Sequence, residues 1–281
     1  MSATDSLPGT ERLIALEGTH NLRDTGGYPV LGADGAVVGR TRWGALLRSD
    51  ALHRLTESDL AALSGRGVRL VVDLRDEREL LAAPSRLDGL DVEVAHLPVF
   101  ADAAPAALLT GRIDLATLYD AMVDDRGDAL TRAVAALARA GEGASIVHCT
   151  AGKDRTGLVV AFALRAVGVP AEVVAADYAR SAEHLAGDWA REALAAASSL
   201  GVVGELPPGV VEIVTASPAP VLTALLARVE AEHGSAAAYL AAHGLTDDDL
   251  AALRARLVEA VAAPADAAPG TIPTPATEDP R

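Results

Sequence analysis

Between Ser145 and Pro170 the sequence leaves the chain few ways to fold. A short apolar run, Ser145 to His148, passes through Cys149-Thr150-Ala151-Gly152-Lys153-Asp154-Arg155 into a longer apolar run from Thr156 to Val167. The first run has the length of a buried strand. The second has the length of a buried helix, and Gly168 and Pro170 stop it. Val68 to Leu74 is another short apolar run, and Val92 to Leu97 a third candidate strand. Asp128 to Ala140 sets Leu130, Val134 and Leu137 at helical spacing, with Gly141 beyond the end. Strands alternating with helices predict an α/β fold, in which helices flank a central, mostly parallel sheet.

Other segments read locally. Ala33-Asp34-Gly35 is hairpin-turn chemistry. Thr56 is placed to cap a helix, with Asp59 answering at the third helical position. Beyond Pro170 the chain is Ala-rich and helical in pattern. Helices are expected at 171–186, 188–200, 219–232, 235–242 and 247–262, with Pro207-Pro208 and Pro218 as breaks. From Pro264 on, Pro, Ala, Thr and acidic residues read as a disordered tail. The expected organisation is an N-terminal tail or edge segment over 1–17, one domain over 18–262 with a helical addition within about 171–245, and a tail over 263–281.

Composition narrows the function classes. The net charge is −15, which excludes a basic surface for nucleic acid. With aromatics at 3%, the core must be built from Ala, Val and Leu. The single cysteine forms no intramolecular disulfide, so no oxidising compartment is called for. The start lacks a basic and apolar leader, and the longest apolar runs, such as Leu158 to Leu164, stop short of the roughly 20 residues of a membrane span. A soluble, cytoplasmic protein without stable membrane insertion is the expectation; export without a leader would leave no trace to read. The seven histidines show no metal-ligand spacing, so neither metal nor organic cofactor is expected.

The only Lys of the chain, Lys153, lies four residues from the only Cys, Cys149. A loop around a helix N-terminus turns unpaired amides inward and makes an anion site. Gly152 lets the backbone come close to a ligand. Arg155, six positions after Cys149, can grip two phosphate oxygens with its planar fork. The same field favours a thiolate, the nucleophilic form of Cys149. Thr156 can donate its hydroxyl to the sulfur, and His148 can orient the loop.

This loop resembles the C-x5-R element of cysteine-dependent phosphatases, in the form H-C-x-x-G-K-D-R-T-G. Rhodanese-type sulfurtransferases use a loop one residue shorter. The likeness extends to Asn21-Leu22-Arg23-Asp24-Thr25-Gly26-Gly27-Tyr28, Leu47-Arg48-Ser49-Asp50, Val72-Asp73-Leu74-Arg75, Gly234-Ser235, Tyr239-Leu240 and Gly244-Leu245-Thr246, so it spans about residues 18–260. By it the chain resembles the bacterial tyrosine-protein phosphatase family typified by mycobacterial protein-tyrosine phosphatase B. The resemblance implies a phosphatase fold whose added helices lie over the active site as a lid. It implies a phosphocysteine on Cys149, with the phosphate held by the backbone of Thr150, Ala151, Gly152, Lys153, Asp154 and Arg155 and by the Arg155 guanidinium. It also implies activity on phosphotyrosine in proteins, with phosphoserine, phosphothreonine or phosphoinositides as further substrates in some members, and inorganic phosphate as product.

Several roles stay open at this level. The general acid is either Asp154, to which the family pattern points, or one of the upstream acids Asp114, Asp120, Asp124, Asp125 and Asp128. A carboxylate beside a bound phosphate is repelled by it, which favours the protonated, donating form. Lys153 contacts an anion or is a solvated loop charge. Asn21, Arg23, Asp24, Arg48 and Asp50 brace the loop or form a plain turn network. A phosphoinositide phosphatase and a catalytically silent phospho-residue binder are the rival functions.

Overall fold

The computed structural model describes residues 12–100, 114–199 and 205–260. The tail expected over 263–281 lies outside them, as does the tail expected over 1–17 except for residues 12–17. Within that stretch Ile14 is buried and its amide donates to the Leu22 carbonyl at 2.9 Å.

Five strands form the main sheet: β1 (Arg23–Asp24), β4 (Leu46–Ser49), β5 (Val68–Asp73), β6 (Glu93–His96) and β7 (Ala144–His148). Their order is β1-β4-β7-β5-β6. The β4–β7, β7–β5 and β5–β6 pairs are parallel, and only the β1 edge is antiparallel. The expected mostly parallel sheet is thus present. A second sheet joins β2 (Pro29–Leu31) and β3 (Val37–Thr41), the expected hairpin, to β8 (Val258–Ala260).

Strand alternation divides the core between the two faces of the main sheet. Leu46, Leu70, Val72 and Val147 point into the larger cluster, whereas Leu47, Val71 and Ile146 point into the smaller one. The smaller cluster is covered by α1 (Glu57–Gly65), which Thr56 and Asp59 cap reciprocally as the sequence predicts. A short helix, α2 (Glu77–Ala82), follows β5 and was not foreseen.

On the larger face lie α3 (Leu115–Arg139) and α4 (Asp154–Ala166). Helix α4 is buried continuously from Thr156 to Leu164, as an all-round apolar helix must be. Burying Phe162 or Leu158 in full stabilises the fold by about 1.5–3 kcal/mol each. Helix α3 is twice the expected length. It bends at Arg126 (φ −129°), and a Cβ on the adjacent Gly127 would stand 2.4 Å from the His243 ring. Only glycine leaves room for His243 at this point, and the expected helix of 128–140 is the half beyond the bend.

Around these pack α5 (Ala171–His184), α6 (Asp188–Ser199), α7 (Pro208–Thr215), α8 (Ala219–His233), α9 (Ala236–Ala242) and α10 (Asp247–Leu257). Four of the five expected helices match within a few residues. The fifth ends earlier, because Val258–Ala260 pairs with β3 instead. Helix α7 replaces an expected break: Pro208 occupies its first turn, where a missing N–H costs nothing. Among the described residues no single helix is long and apolar enough to cross a membrane.

Candidate active site

The segment that follows β7 leaves the sheet at the carboxyl ends of its parallel strands, where open α/β sheets bind ligands. It turns through Gly152 into the N-terminus of α4. Gly152 has φ +65°, and a Cβ there would stand 2.2 Å from the Ser49 carbonyl oxygen. Only glycine allows the loop to lie this close to β4.

The loop's carbonyls are held from outside. Asn21 Nδ2 donates to the Ala151 and Gly152 oxygens at 3.0 and 3.2 Å. Arg48 Nη2 donates to the Gly152 and Lys153 oxygens at 2.9 and 3.4 Å. The Ala51 amide donates to the Thr150 oxygen at 3.1 Å. Among the described residues, none of the amide nitrogens of 150–155 has an acceptor. A ring of outward carbonyls and free amides is a site for a tetrahedral anion.

Asn21 and Arg48 are themselves fixed by a buried ionic hub. Asp177, on α5, accepts from Arg23 Nε at 2.9 Å, Arg48 Nη1 at 2.7 Å and the Tyr28 hydroxyl at 3.0 Å. Burial raises the Asp177 carboxyl, but the two guanidiniums prevail and hold it well below the usual range. Burial and neighbouring Arg48 bring Arg23 down to about 10. Arg23 Nη1 also donates to Asn21 Oδ1. Asp50 receives the amides of His20 and Asn21 at 3.1 and 2.9 Å, and Asp24 receives those of Gly26 and Gly44 at 2.8 Å. Asn21, Arg48 and, through Asn21, Arg23 and Asp50 therefore reach the loop, whereas Asp24 serves its own turn.

Cys149 lies at the floor of the loop, 2% exposed, against the main core. His148 beneath it is fully buried; its Nδ1 is 3.2 Å from the Cys149 carbonyl and its Nε2 is 3.4 Å from Asp73 Oδ2. Burial pushes His148 below its usual value, outweighing Asp73. Asp73 is in turn held by Arg75, whose Nε and Nη2 donate to it at 2.9 and 2.7 Å. Thr156 is fully buried, and its hydroxyl has no hydrogen-bond partner among the described residues.

Arg155 meets a residue that the sequence reading missed. Its Nη1 and Nη2 donate to Glu79 Oε2 and Oε1 at 2.5 and 2.7 Å, and Thr150 Oγ1 donates to the same carboxylate. Burial of Glu79 opposes its ionisation, but Arg155 overrides this and brings it down to about 2. Burial also lowers Arg155, yet Glu79 and the charge of Cys149 hold it above its usual value. The one sequence signal was Asp76-x-x-Glu79, a capping box that is present and that alone accounts for a Glu at that position.

Lys153 is neither solvated nor free. It is wholly buried, and its Nζ donates to the Ile213 and Ala216 carbonyls at 2.5 and 2.7 Å, at the C-terminal end of α7. Its ammonium also stands 3.5 Å from Asp154 Oδ1. Asp154 opens α4 with its side chain 20% exposed, and Oδ1 accepts from the Tyr119 hydroxyl at 2.7 Å. Most of the upstream acids are engaged elsewhere. Asp114 caps α3, Asp120 and Asp124 pair with Arg228 at 3.1 and 2.9 Å, and Asp128 pairs with Arg132 at 2.6 Å. Beside Thr150 a cleft of about 320 Å³ opens, lined among others by His20, His53, Arg54, Trp189 and Glu192.

Comparison with known proteins shows the family. The sequence profile of the tyrosine phosphatase family matches residues 14–259. The triple specificity protein phosphatase PtpB of Mycobacterium tuberculosis is 36% identical over 199 residues, 59% of this chain and 68% of that protein. A tyrosine-protein phosphatase of Nostoc commune is 32% identical over 157 residues, 51% of this chain and 50% of its own length. A Cupriavidus necator protein that carries a tyrosine-protein phosphatase name is 30% identical over 256 residues, 85% of this chain and 90% of its own. A solved structure of Pseudomonas aeruginosa TpbA with phosphotyrosine aligns over 54% of this chain and 77% of that one, at 20% identity and a TM-score of 0.30.

Proposed function

This chain belongs to the tyrosine phosphatase family, and on that premise we propose that it hydrolyses phosphotyrosine in proteins through a phosphocysteine formed on Cys149. It is a phosphoric monoester hydrolase. The observation that carries the reading is the ring of amides over 150–155, unpaired among the described residues, that links Cys149 at the end of β7 to Arg155 in the first turn of α4.

The steps follow from the charges. The Cys149 thiolate gives an electron pair to phosphorus as the ester P–O bond breaks. The amides and Arg155 hold the equatorial oxygens, where charge gathers in the transition state. Glu79 takes the end-on pair of Arg155 nitrogens, and Nε has no acceptor among the described residues. The Nε edge is therefore the fork offered to phosphate. Asp154 gives its proton to the leaving oxygen and then receives one from the water that attacks the phosphocysteine. The products are inorganic phosphate and the restored thiolate, whose release the unpaired Thr156 hydroxyl eases.

The substrate class rests on two features. The cleft beside Thr150 has room for polypeptide next to the phosphoester. The phosphoinositide reading drew on Lys153 as an anion contact, and its ammonium is already taken by two carbonyls. Breadth beyond phosphotyrosine is part of the proposal, since the Mycobacterium tuberculosis relative is named a triple specificity protein phosphatase. Cys149→Ser tests the whole reading: turnover of a phosphotyrosyl peptide is lost, while calorimetry still detects binding of that peptide. Retained turnover removes Cys149 from its role. Faster phosphate release from inositol lipids than from the peptide by the unaltered protein overturns the substrate class.

A further inference from the structure

Two buried tyrosines stand in line behind Asp154. The Tyr119 hydroxyl, from α3, is 2.7 Å from Asp154 Oδ1, and the Tyr178 hydroxyl, from α5, is 2.6 Å from that of Tyr119. Both side chains are 1% exposed, and their rings meet edge to face with centroids 6.1 Å apart. A hydroxyl has one proton. Tyr119 spends its proton on the carboxylate, so Tyr178 is the donor to Tyr119, and the chain of bonds points one way, toward Oδ1. The Lys153 ammonium, 3.5 Å away, faces the same oxygen. Among the described residues nothing donates to Oδ2.

The two carboxylate oxygens of Asp154 are thus unequal. A proton on Oδ1 would meet two groups that are themselves donors, whereas a proton on Oδ2 leaves both contacts intact. Space for this arrangement comes from Gly157, one turn into α4: a Cβ there would stand 3.1 Å from the Tyr178 ring and 3.5 Å from Arg48 Nη2.

We propose that Tyr119, supported by Tyr178, is a positioning residue that anchors Asp154 Oδ1 so that the catalytic proton resides on Oδ2 and is delivered from there to the leaving oxygen. This deepens the reading of Asp154 as general acid and rests on it. The electron pair of the breaking P–O bond stays on the leaving oxygen, which takes the Oδ2 proton; the tyrosines transfer nothing and keep their protons. Burial, which pushes Tyr119 and Tyr178 well above the usual phenol range, is consistent with that.

The test compares kcat/KM, which reports the steps up to phosphocysteine formation, for aryl phosphates that differ in leaving group. Dinitrophenolate leaves without help; phenolate needs a proton. For Tyr119→Phe the expected loss is about tenfold on phenyl phosphate and no more than about twofold on dinitrophenyl phosphate, since general acid help matters only for the poor leaving group. Asp154→Asn is the reference and loses about 100-fold on phenyl phosphate with the same selectivity. Tyr178→Phe shows a weaker effect of the same kind, and decides the matter if Tyr119→Phe does not fold. An equal loss on both substrates, or none, for the tyrosine variants while Asp154→Asn remains selective overturns the positioning role alone. An Asp154→Asn variant without selectivity overturns the general acid and the tyrosine role with it.

Discussion

Glu79 and Arg155 meet end-on across the rim of the loop, with both terminal nitrogens of the guanidinium on the two oxygens of one carboxylate, at 2.5 and 2.7 Å. The pair fixes the plane of the guanidinium before any phosphate arrives. It also leaves the Nε edge without an acceptor among the described residues, the edge that the proposed mechanism offers to phosphate. A flexible side chain becomes a preset fork, so the ordering cost is met in folding rather than in binding.

Glu79→Gln keeps the shape but removes the charge. We expect kcat/KM on an aryl phosphate to fall about tenfold and inhibition by inorganic phosphate to weaken, since charge-assisted hydrogen bonds contribute about 1.5–3 kcal/mol each. The pair also has a pH signature. The Glu79 carboxyl sits at about 2 in the fold against 4.5 ordinarily, so the unfolded chain binds more protons between those values. Its contribution to stability is complete above about pH 4.5 and is lost as pH falls toward 2. The gap in thermal midpoint between the unaltered protein and Glu79→Gln should close over that window. A gap independent of pH would contradict the pairing.

Lys153→Met removes the ammonium that ties the loop to the end of α7. Two carbonyls, those of Ile213 and Ala216, lose a charged donor. Amide exchange should quicken over 208–216 while the strands of the main sheet keep their protection, and stability should fall by about 1.5–3 kcal/mol. Unchanged exchange in α7 would show that its packing, not the lysine, holds it.

Asp177→Ala leaves two buried guanidiniums, Arg23 and Arg48, without their shared carboxylate. Removing one partner from a buried ionic group costs about 3–5 kcal/mol, which urea unfolding would read. The protein that remains folded should also bind phosphate more weakly, because Arg48 then no longer holds the Gly152 carbonyl in place. A loss of stability with phosphate binding unaltered would confine Asp177 to the scaffold.

The local parts of this protein were legible because their causes are local. The apolar run ending at His148, the loop of 149–155 and the buried helix after it carry their own periodicity and stops. The box of Thr56 and Asp59 is closed within one turn. Other features hid behind rules that already explained them. Glu79 reads as a capping residue, and it is one. Pro207-Pro208 reads as a break, and it opens α7. The acids Asp120, Asp124 and Asp125 masked the first half of α3, whose buried face carries Leu115, Leu118, Tyr119 and Met122.

By itself, then, the order of residues determined the strand-to-helix loop that carries Cys149 and Arg155, the turn glycine between them and the α/β frame, since each depends on spacings of a few residues that any strand-to-helix loop must obey. Which groups surround that loop was decided only in three dimensions. Glu79 lies 76 positions from Arg155, Tyr119 lies 35 from Asp154, and Asp177 lies 154 from Arg23. Hydrogen bonds and ion pairs act over a few ångströms and carry no signature along the chain, so such partners come into view only once the sheet and helices have brought them together.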